Sequence, residues 1–201
     1  MSDQRATRHA ERMARKKTVI AGHIDAARAE RGVLLVHTGS GKGKSSAAFG
    51  LVARALGHGM KVAVVQFVKS RADTGEEGFF RRFPDLLHWH VMGEGFTWET
   101  RDSARDAKAA QAAWQQAQAY LGDPAVGLVV LDEITYAFKY GWLAIDDVLA
   151  VLKARPAQQH VVATGRAAPQ TLVDAADTVT EMRLVKHAFQ AGVKAMPGVE
   201  W

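Results

Sequence analysis

The sequence predicts an α/β domain of three layers, a mostly parallel sheet with helices on both faces. Three observations predict it. Short, continuous apolar runs recur along the chain and read as strands buried on both sides. Stretches of helical periodicity separate them, and the runs end in Gly, Ser, Thr or Asp punctuation. The chain has 201 residues, 48% hydrophobic and 23% charged, enough to bury one sizeable core. With 5 Pro and 18 Gly in no triplet period, collagen-like and disordered chains are excluded.

In order, residues 8–31 read as a polar, charged helix with few apolar anchors. Such a segment is a solvated arm, or gains order only against a partner surface. From Gly32 the texture changes. Val33-Leu34-Leu35-Val36-His37 is a buried strand. Ser45 to Leu56 is a helix with Ala48, Leu51, Val52 and Ala55 on one face, stopped by Gly57-His58-Gly59. Val62 to Val68 is the next strand, and strand, helix, strand at this spacing makes a parallel βαβ unit. Residues 69–100 are looser, with Gly75, Gly78, Pro84, Gly93 and Gly95, and hold one short strand at His88–Met92. Asp102 to Leu121 is an Ala- and Gln-rich helix. Leu128-Val129-Val130-Leu131 is the most hydrophobic strand, closed by Asp132-Glu133. A helix over Ile145–Lys153, a strand over His160–Ala163, a helix over Pro169–Ala176 and a strand over Thr178–Met182 complete the alternation. The tail from Lys186 is irregular. The expected organisation is a basic helical arm, 1–31, followed by one α/β domain, 32–201.

The net charge of +5 is uneven. Residues 1–31 hold eight Lys/Arg against four Asp/Glu, or +4; residues 32–201 hold eighteen against seventeen, or +1. A nucleic-acid-binding main body would carry more positive charge. Without cysteine there is no disulfide framework and no thiolate zinc site. The Arg-rich start lacks the apolar core of a signal peptide, and Asp3, Glu11 and Asp25 are unlike a transit peptide. No apolar run is long enough to span a membrane. The expectation is a cytoplasmic protein with neither membrane nor nucleic-acid partner.

The strongest chemical signal lies between the first strand and the first helix of the domain: Thr38-Gly39-Ser40-Gly41-Lys42-Gly43-Lys44-Ser45. Backbone N–H groups of a Gly-rich loop can wrap phosphate oxygens. The helix N-terminus adds a favourable dipole, Lys44 a point charge, and the Ser45 hydroxyl a ligand for Mg²⁺. The usual pattern has Gly five positions before Gly43; here that residue is Thr38, and glycines alternate at 39, 41 and 43. The phosphate chain is therefore expected to lie in this loop in its own way. The second signal is the apolar strand ending in Asp132 and Glu133. A carboxylate at that end of a strand lies beside a phosphate loop, where it holds Mg²⁺ directly or through water. Asp132 is the first choice for the metal and Glu133 for a second polar role.

Thr164-Gly165-Arg166 ends the following strand. Ligands of open α/β sheets bind outside the carboxyl ends of strands, so Arg166 is placed to meet phosphate; a surface Arg in a turn explains that residue equally well by itself. Phe96 and Trp98, in the Gly-flanked polar segment 93–101, read as contacts to a ligand or partner. His88 and His90 share a strand face, but two His without a third ligand are read as structural.

Together these residues resemble the ATP:corrinoid adenosyltransferases of the cobalamin pathway, in the class with a P-loop fold. The resemblance runs from about Arg31 to Trp201. Residues 38–50 look like that family's loop, with Ser40, Ser45 and Ser46 where Asn, Thr and Thr are frequent. Val65-Gln66-Phe67-Val68-Lys69 is similar to its second strand, Gly95-Phe96-Thr97-Trp98 to its aromatic loop, and Leu131-Asp132-Glu133-Ile134-Thr135-Tyr136 to its acidic strand end. Thr164-Gly165-Arg166 resembles its next strand end. The tail from Val185 to Ala195 is the most distinctive part.

The resemblance implies a P-loop NTPase-like, RecA-like sheet, a homodimer, and a reaction that does not hydrolyse ATP. A Co(I) corrinoid attacks the 5′ carbon of ATP, triphosphate leaves and a carbon–cobalt bond forms, in adenosylcobalamin biosynthesis or salvage. ATP would lie in Gly39, Ser40, Gly41, Lys42, Gly43, Lys44, Ser45 and Ser46, with Arg54 and Arg166 near it. Ser45, Asp132 and Glu133 would serve Mg²⁺ (or Mn²⁺). Lys44 and Glu133 would take part in catalysis. Phe96 and Trp98 would lie under the corrin ring and push away its lower axial ligand, easing reduction of Co(II) by a flavoprotein or other electron donor. The arm would cover the corrinoid site.

Two other classes compete with this reading. A P-loop ATPase or small-molecule kinase would release phosphate or ADP in place of triphosphate. A RecA-like nucleic-acid binder using the basic arm would lose affinity steeply with salt.

Overall fold

The structure, a computed structural model, describes residues 2–68, 74–93 and 103–199. The chain divides into two compact units, Met1–Arg31 and Gly32–Trp201. The first holds one helix, α1 (Ser2–Ala26), which starts before the expected residue 8 and stops before 31. Its described side chains are exposed throughout. Met13, Ile20 and Ile24 share one face by their spacing and remain largely in solvent.

In the second unit the strands are β1 (Leu34–Thr38), β2 (Lys61–Gln66), β3 (Leu87–Val91), β4 (Val126–Asp132), β5 (His160–Thr164) and β6 (Thr178–Glu181). The helices are α2 (Lys44–Gly57), α3 (Gly75–Phe80), α4 (Ser103–Leu121), α5 (Thr135–Lys139), α6 (Ile145–Ala154) and α7 (Gln170–Ala175). Among the described residues one sheet forms, ordered β3-β2-β4-β5-β1-β6, and every neighbouring pair is parallel.

Alternation along the strands splits the interior into two cores. Val62, Val64, Leu128, Val130 and Val162 pack with α2 and α3, where Phe80 meets Phe49 edge-on and stacks on Trp89. Ala63, Val65, Val129, Leu131 and Val161 pack in the opposite layer with Trp114 and Leu121 of α4, Leu152 of α6 and Leu172 of α7. With both faces covered, the central strands need apolar residues at every position, which is why they read as unbroken runs. This is the three-layer α/β architecture that the sequence predicts.

Two short helices were not expected. α3 falls inside the Gly-rich looser segment; the Thr74 hydroxyl accepts a hydrogen bond from the Glu77 amide at 3.4 Å, and Phe80 anchors the helix in the core. α5 is little more than one turn and follows directly on the acidic strand end. The tail holds a 3-10 turn at Ala188–Ala191, and Pro169 stands at the N-cap of α7, one place ahead of its first turn.

The topology places the site. β5 lies between β1 and β4, so the ends of these strands, at Thr38, Thr164 and Asp132, stand side by side. The helix after β1 packs on one face of the sheet and the helix after β5 on the other. The chain therefore parts between these neighbours and opens a crevice at their carboxyl ends.

Candidate active site

The phosphate loop joins β1 to α2. Gly43 precedes α2 at φ 107° with no side-chain cap, and the first turn has no acidic residue. A helix start of this kind is complementary to an anion. Lys44 is 7% exposed, and its Nζ donates to the Gly39 carbonyl at 3.0 Å and the Gly41 carbonyl at 2.7 Å. Burial pushes the ammonium below the usual lysine range. Glu133 and Asp132 oppose that shift, while Arg166 and Lys42 add to it.

The unusual spacing of the loop has a structural reason. The Gly41 amide donates to the Met182 carbonyl, just past β6, at 2.6 Å. A Cβ on Gly39 would stand 2.4 Å from that same oxygen, and one on Gly41 would stand 2.8 Å from the backbone of Arg183. The chain beyond β6 thus packs directly on the loop, and only glycine allows it. Thr38, where the common pattern has glycine, uses its hydroxyl to accept from the Ala168 amide at 3.1 Å. It ties the segment after β5 to the end of β1.

Asp132 is fully buried at the end of β4. Its Oδ1 accepts from the Ser45 hydroxyl at 2.8 Å and the Thr164 hydroxyl at 2.7 Å, and its Oδ2 accepts from Gln66 Nε2 at 2.8 Å. The Thr164 oxygen accepts in turn from the Glu133 amide at 2.9 Å. Glu133 has φ 63°, a left-handed conformation that costs a non-glycine residue about 1–3 kcal/mol, and its side chain lines the cavity beside the loop. Gly165 follows Thr164 at φ 141°, where a Cβ would strike the Thr135 hydroxyl at 2.0 Å.

That cavity has a volume of about 660 Å³ and is lined by loop residues 41–46 on one side and by Glu133, Tyr136, Lys139, Tyr140 and Arg166 on the other. Tyr136 and Tyr140 are stacked at 6.2 Å, and Lys139 Nζ lies 5.2 Å from the centre of the Tyr140 ring. Burial, and then the charge of Glu133, raise the Tyr136 hydroxyl above its ordinary range.

Of the residues singled out by sequence, Gly41 to Ser46, Glu133 and Arg166 meet around this cavity, with Asp132 beneath Ser45. Gly39 holds Lys44 through its carbonyl. Ser40 is exposed in the loop. Arg54 is exposed in the last turn of α2, ten residues along the helix from Lys44 or roughly 15 Å of rise. Phe96 and Trp98 lie outside the described residues. His90 Nε2 pairs with the Tyr120 hydroxyl at 2.7 Å, and His88 stacks on the same ring. No group of three or more potential metal ligands from His, Cys, Asp and Glu occurs among the described residues.

Sequence reasoning missed Gln66 and Thr164 as partners of Asp132, and Tyr136, Lys139 and Tyr140 as cavity wall. The available signal was positional: a polar residue ending an otherwise apolar strand beside a phosphate loop.

The fold and this strand-end constellation define a P-loop NTPase-like α/β domain. The flagellar accessory protein FlaH from Methanocaldococcus jannaschii shares the fold at a TM-score of 0.50 and 11% identity, over 76% of this chain and 71% of that one. Residues 30–201 match the family described as ATP:corrinoid adenosyltransferase BtuR/CobO/CobP, and residues 1–22 match that described as Cob(I)alamin adenosyltransferase N terminal. The corrinoid adenosyltransferase of Pseudomonas aeruginosa is 64% identical over 100% of this chain and 98% of its own length. Those of Salmonella typhimurium and Escherichia coli are 44% and 43% identical, over 100% of both chains in each case. The chain belongs to the ATP:corrinoid adenosyltransferase family and is an enzyme of that type. Neither the ATPase or kinase reading nor the nucleic-acid reading is favoured by these matches. Among the described residues no helix is long and apolar enough to cross a membrane.

Proposed function

We propose that the chain holds the triphosphate of ATP in its phosphate loop, with Mg²⁺ at Ser45 and Asp132, and passes the 5′-deoxyadenosyl group to Co(I) of a corrinoid. The observation that carries this reading is the 2.8 Å bond between Ser45 and the buried Asp132, beside an uncapped helix start that contains Lys44. A hydroxyl and a carboxylate are hard oxygen donors, as Mg²⁺ requires. Gln66 Oε1 is a buried acceptor with no donor among the described residues, and the water carried by such a cation supplies donors. When bound, Mg²⁺ offsets the negative charge of the triphosphate.

The rest of the task falls to the chain. The cobalt lone pair forms the bond to C5′, the C5′–O bond breaks, and its electron pair leaves with the triphosphate. Cobalt is the nucleophile, so no side chain need act as general base. Lys44, Arg166 and the loop amides stabilise the charge that grows on the leaving group, and the loop aligns C5′ for attack. Glu133 serves as a polar contact within the cavity. Phe96 and Trp98 act on the lower face of the corrin, and residues 1–30 serve corrinoid binding. The enzyme works as a cytoplasmic homodimer supplied by an electron donor. The family resemblance supports these last assignments.

Incubation with ATP, Mg²⁺ and chemically reduced cobalamin tests the reaction. The expected result is the spectrum of an alkylated corrinoid with triphosphate as the phosphate product. ADP or orthophosphate without a spectral change would overturn it. Phe96→Ala and Trp98→Ala are expected to bind ATP normally, to be slow when Co(II) must be reduced by a mild donor, and to recover much of their rate when Co(I) is supplied ready-made. Equal losses in both assays would remove the aromatic pair from that role.

A further inference from the structure

Gln66 is 1% exposed at the carboxyl end of β2, directly opposite Asp132 in the β2–β4 ladder. Its backbone is held from both sides: its carbonyl accepts from the Met92 amide at 3.0 Å, and the next amide, that of Phe67, donates to the Asp132 carbonyl at 3.0 Å. The side chain therefore has a fixed base from which to reach the carboxylate. Its orientation is set by chemistry as well, since an ionised carboxylate only accepts, so the amide must present Nε2–H to Asp132 Oδ2. The reverse orientation would set two acceptors against each other in a buried site.

We propose that Gln66 is the positioning residue of the metal–nucleotide site. By occupying Oδ2 it stops the Asp132 carboxylate from turning and keeps Oδ1 directed at Ser45, with which Asp132 holds Mg²⁺ in the reading above. The inference rests on that reading. Ser45 and Thr164 both donate to Oδ1, while Gln66 donates to Oδ2 and so opposes rotation of the carboxylate from the opposite side. Partners of this outer kind are worth about 10–100-fold in metal affinity where they have been removed from other sites. A glutamine that merely filled a polar hole in the core would affect stability and leave the metal dependence alone.

Gln66→Met keeps the length and volume and removes the donor. Mn²⁺ binding in the presence of ATP, read by electron paramagnetic resonance, is expected to weaken about 10–100-fold. ATP binding in EDTA, read by calorimetry, is expected to stay within about twofold, because the loop and Lys44 are untouched. Gln66→Leu provides a second apolar replacement. Mn²⁺ affinity unchanged in a folded variant, or an equal loss of ATP affinity in EDTA, would overturn the proposal. So would the loss of a cooperative melting transition in both variants, which would make Gln66 a folding residue. If the unsubstituted protein itself binds no Mn²⁺ with ATP, the Mg²⁺ reading fails together with the inference.

Discussion

α1 and α2 are both regular helices, and they exist for different reasons. α2 has 14 residues and buries Ala48, Phe49, Val52, Ala55 and Leu56 against the sheet. α1 has 25 residues, and its described side chains are all exposed. Burial holds the first; the local preference of Ala, Arg, Glu and Lys for helical backbone holds the second. The positive charge is divided the same way, +4 on residues 1–31 and +1 on the rest. α2, which follows the Gly-rich loop, is thus part of the core, whereas the described side chains of α1 are exposed.

The largest effect that sharpens this contrast is expected from Phe49→Ala. It removes the ring that meets Phe80 and Trp89 under α2 and costs about 3–5 kcal/mol, read by denaturant unfolding. A loss below about 1 kcal/mol, the level of an ordinary surface change, would mean that α2 is not held by this core.

Lys44→Ala comes next. Losing a charged hydrogen bond is worth about 1.5–3 kcal/mol, and ATP affinity and turnover should fall together by that amount. Undiminished turnover would break the phosphate-loop assignment. The same residue carries a pH signature. In the free protein its pKa is below the ordinary 10.5, whereas bound phosphate favours the ammonium. ATP affinity should therefore fall as pH rises through the lowered pKa, and binding at pH values between it and the higher pKa of the phosphate-bound ammonium should take up a proton. Calorimetry in buffers of differing ionisation enthalpy reads the proton, and Lys44→Ala should abolish its uptake.

The smallest effects belong to the arm. Ile20→Ala should change stability by no more than about 0.5 kcal/mol. Deleting residues 1–30 should leave the melting temperature and ATP affinity nearly unchanged while corrinoid affinity falls. A marked drop in melting temperature would erase the contrast between the two helices.

What the sequence made legible follows the same physics. β1, β2, β4 and β5 were readable because burial on both faces leaves apolar residues at consecutive positions. Lys44, Ser45 and Asp132 were readable because loop spacing and a strand end are local features. α3 was hidden because its glycines, at 75 and 78, suggest a loop; only the Thr74 cap and Phe80 betray it. Gln66 and Thr164 were hidden because their role depends on which strands are neighbours. The order β2-β4-β5-β1 is a long-range property that no local pattern announces. Thr38 carried a visible departure from the common loop, but its partner Ala168 lies far along the chain.

The contact between Gly41 and Met182 also bears on how the protein is made. The loop is among the first parts of the domain to leave the ribosome, and the carbonyl that braces it is among the last. Until β6 has paired with β1, the glycines of the loop have nothing to pack on, and the site exists only as an unsupported turn. On the proposed function, ATP binding is then expected to require the last strand and Met182 as well as the loop itself. A chain ending before residue 178 is expected to bind ATP weakly even though every residue of the loop is present, because the backbone that braces Gly39 and Gly41 is missing.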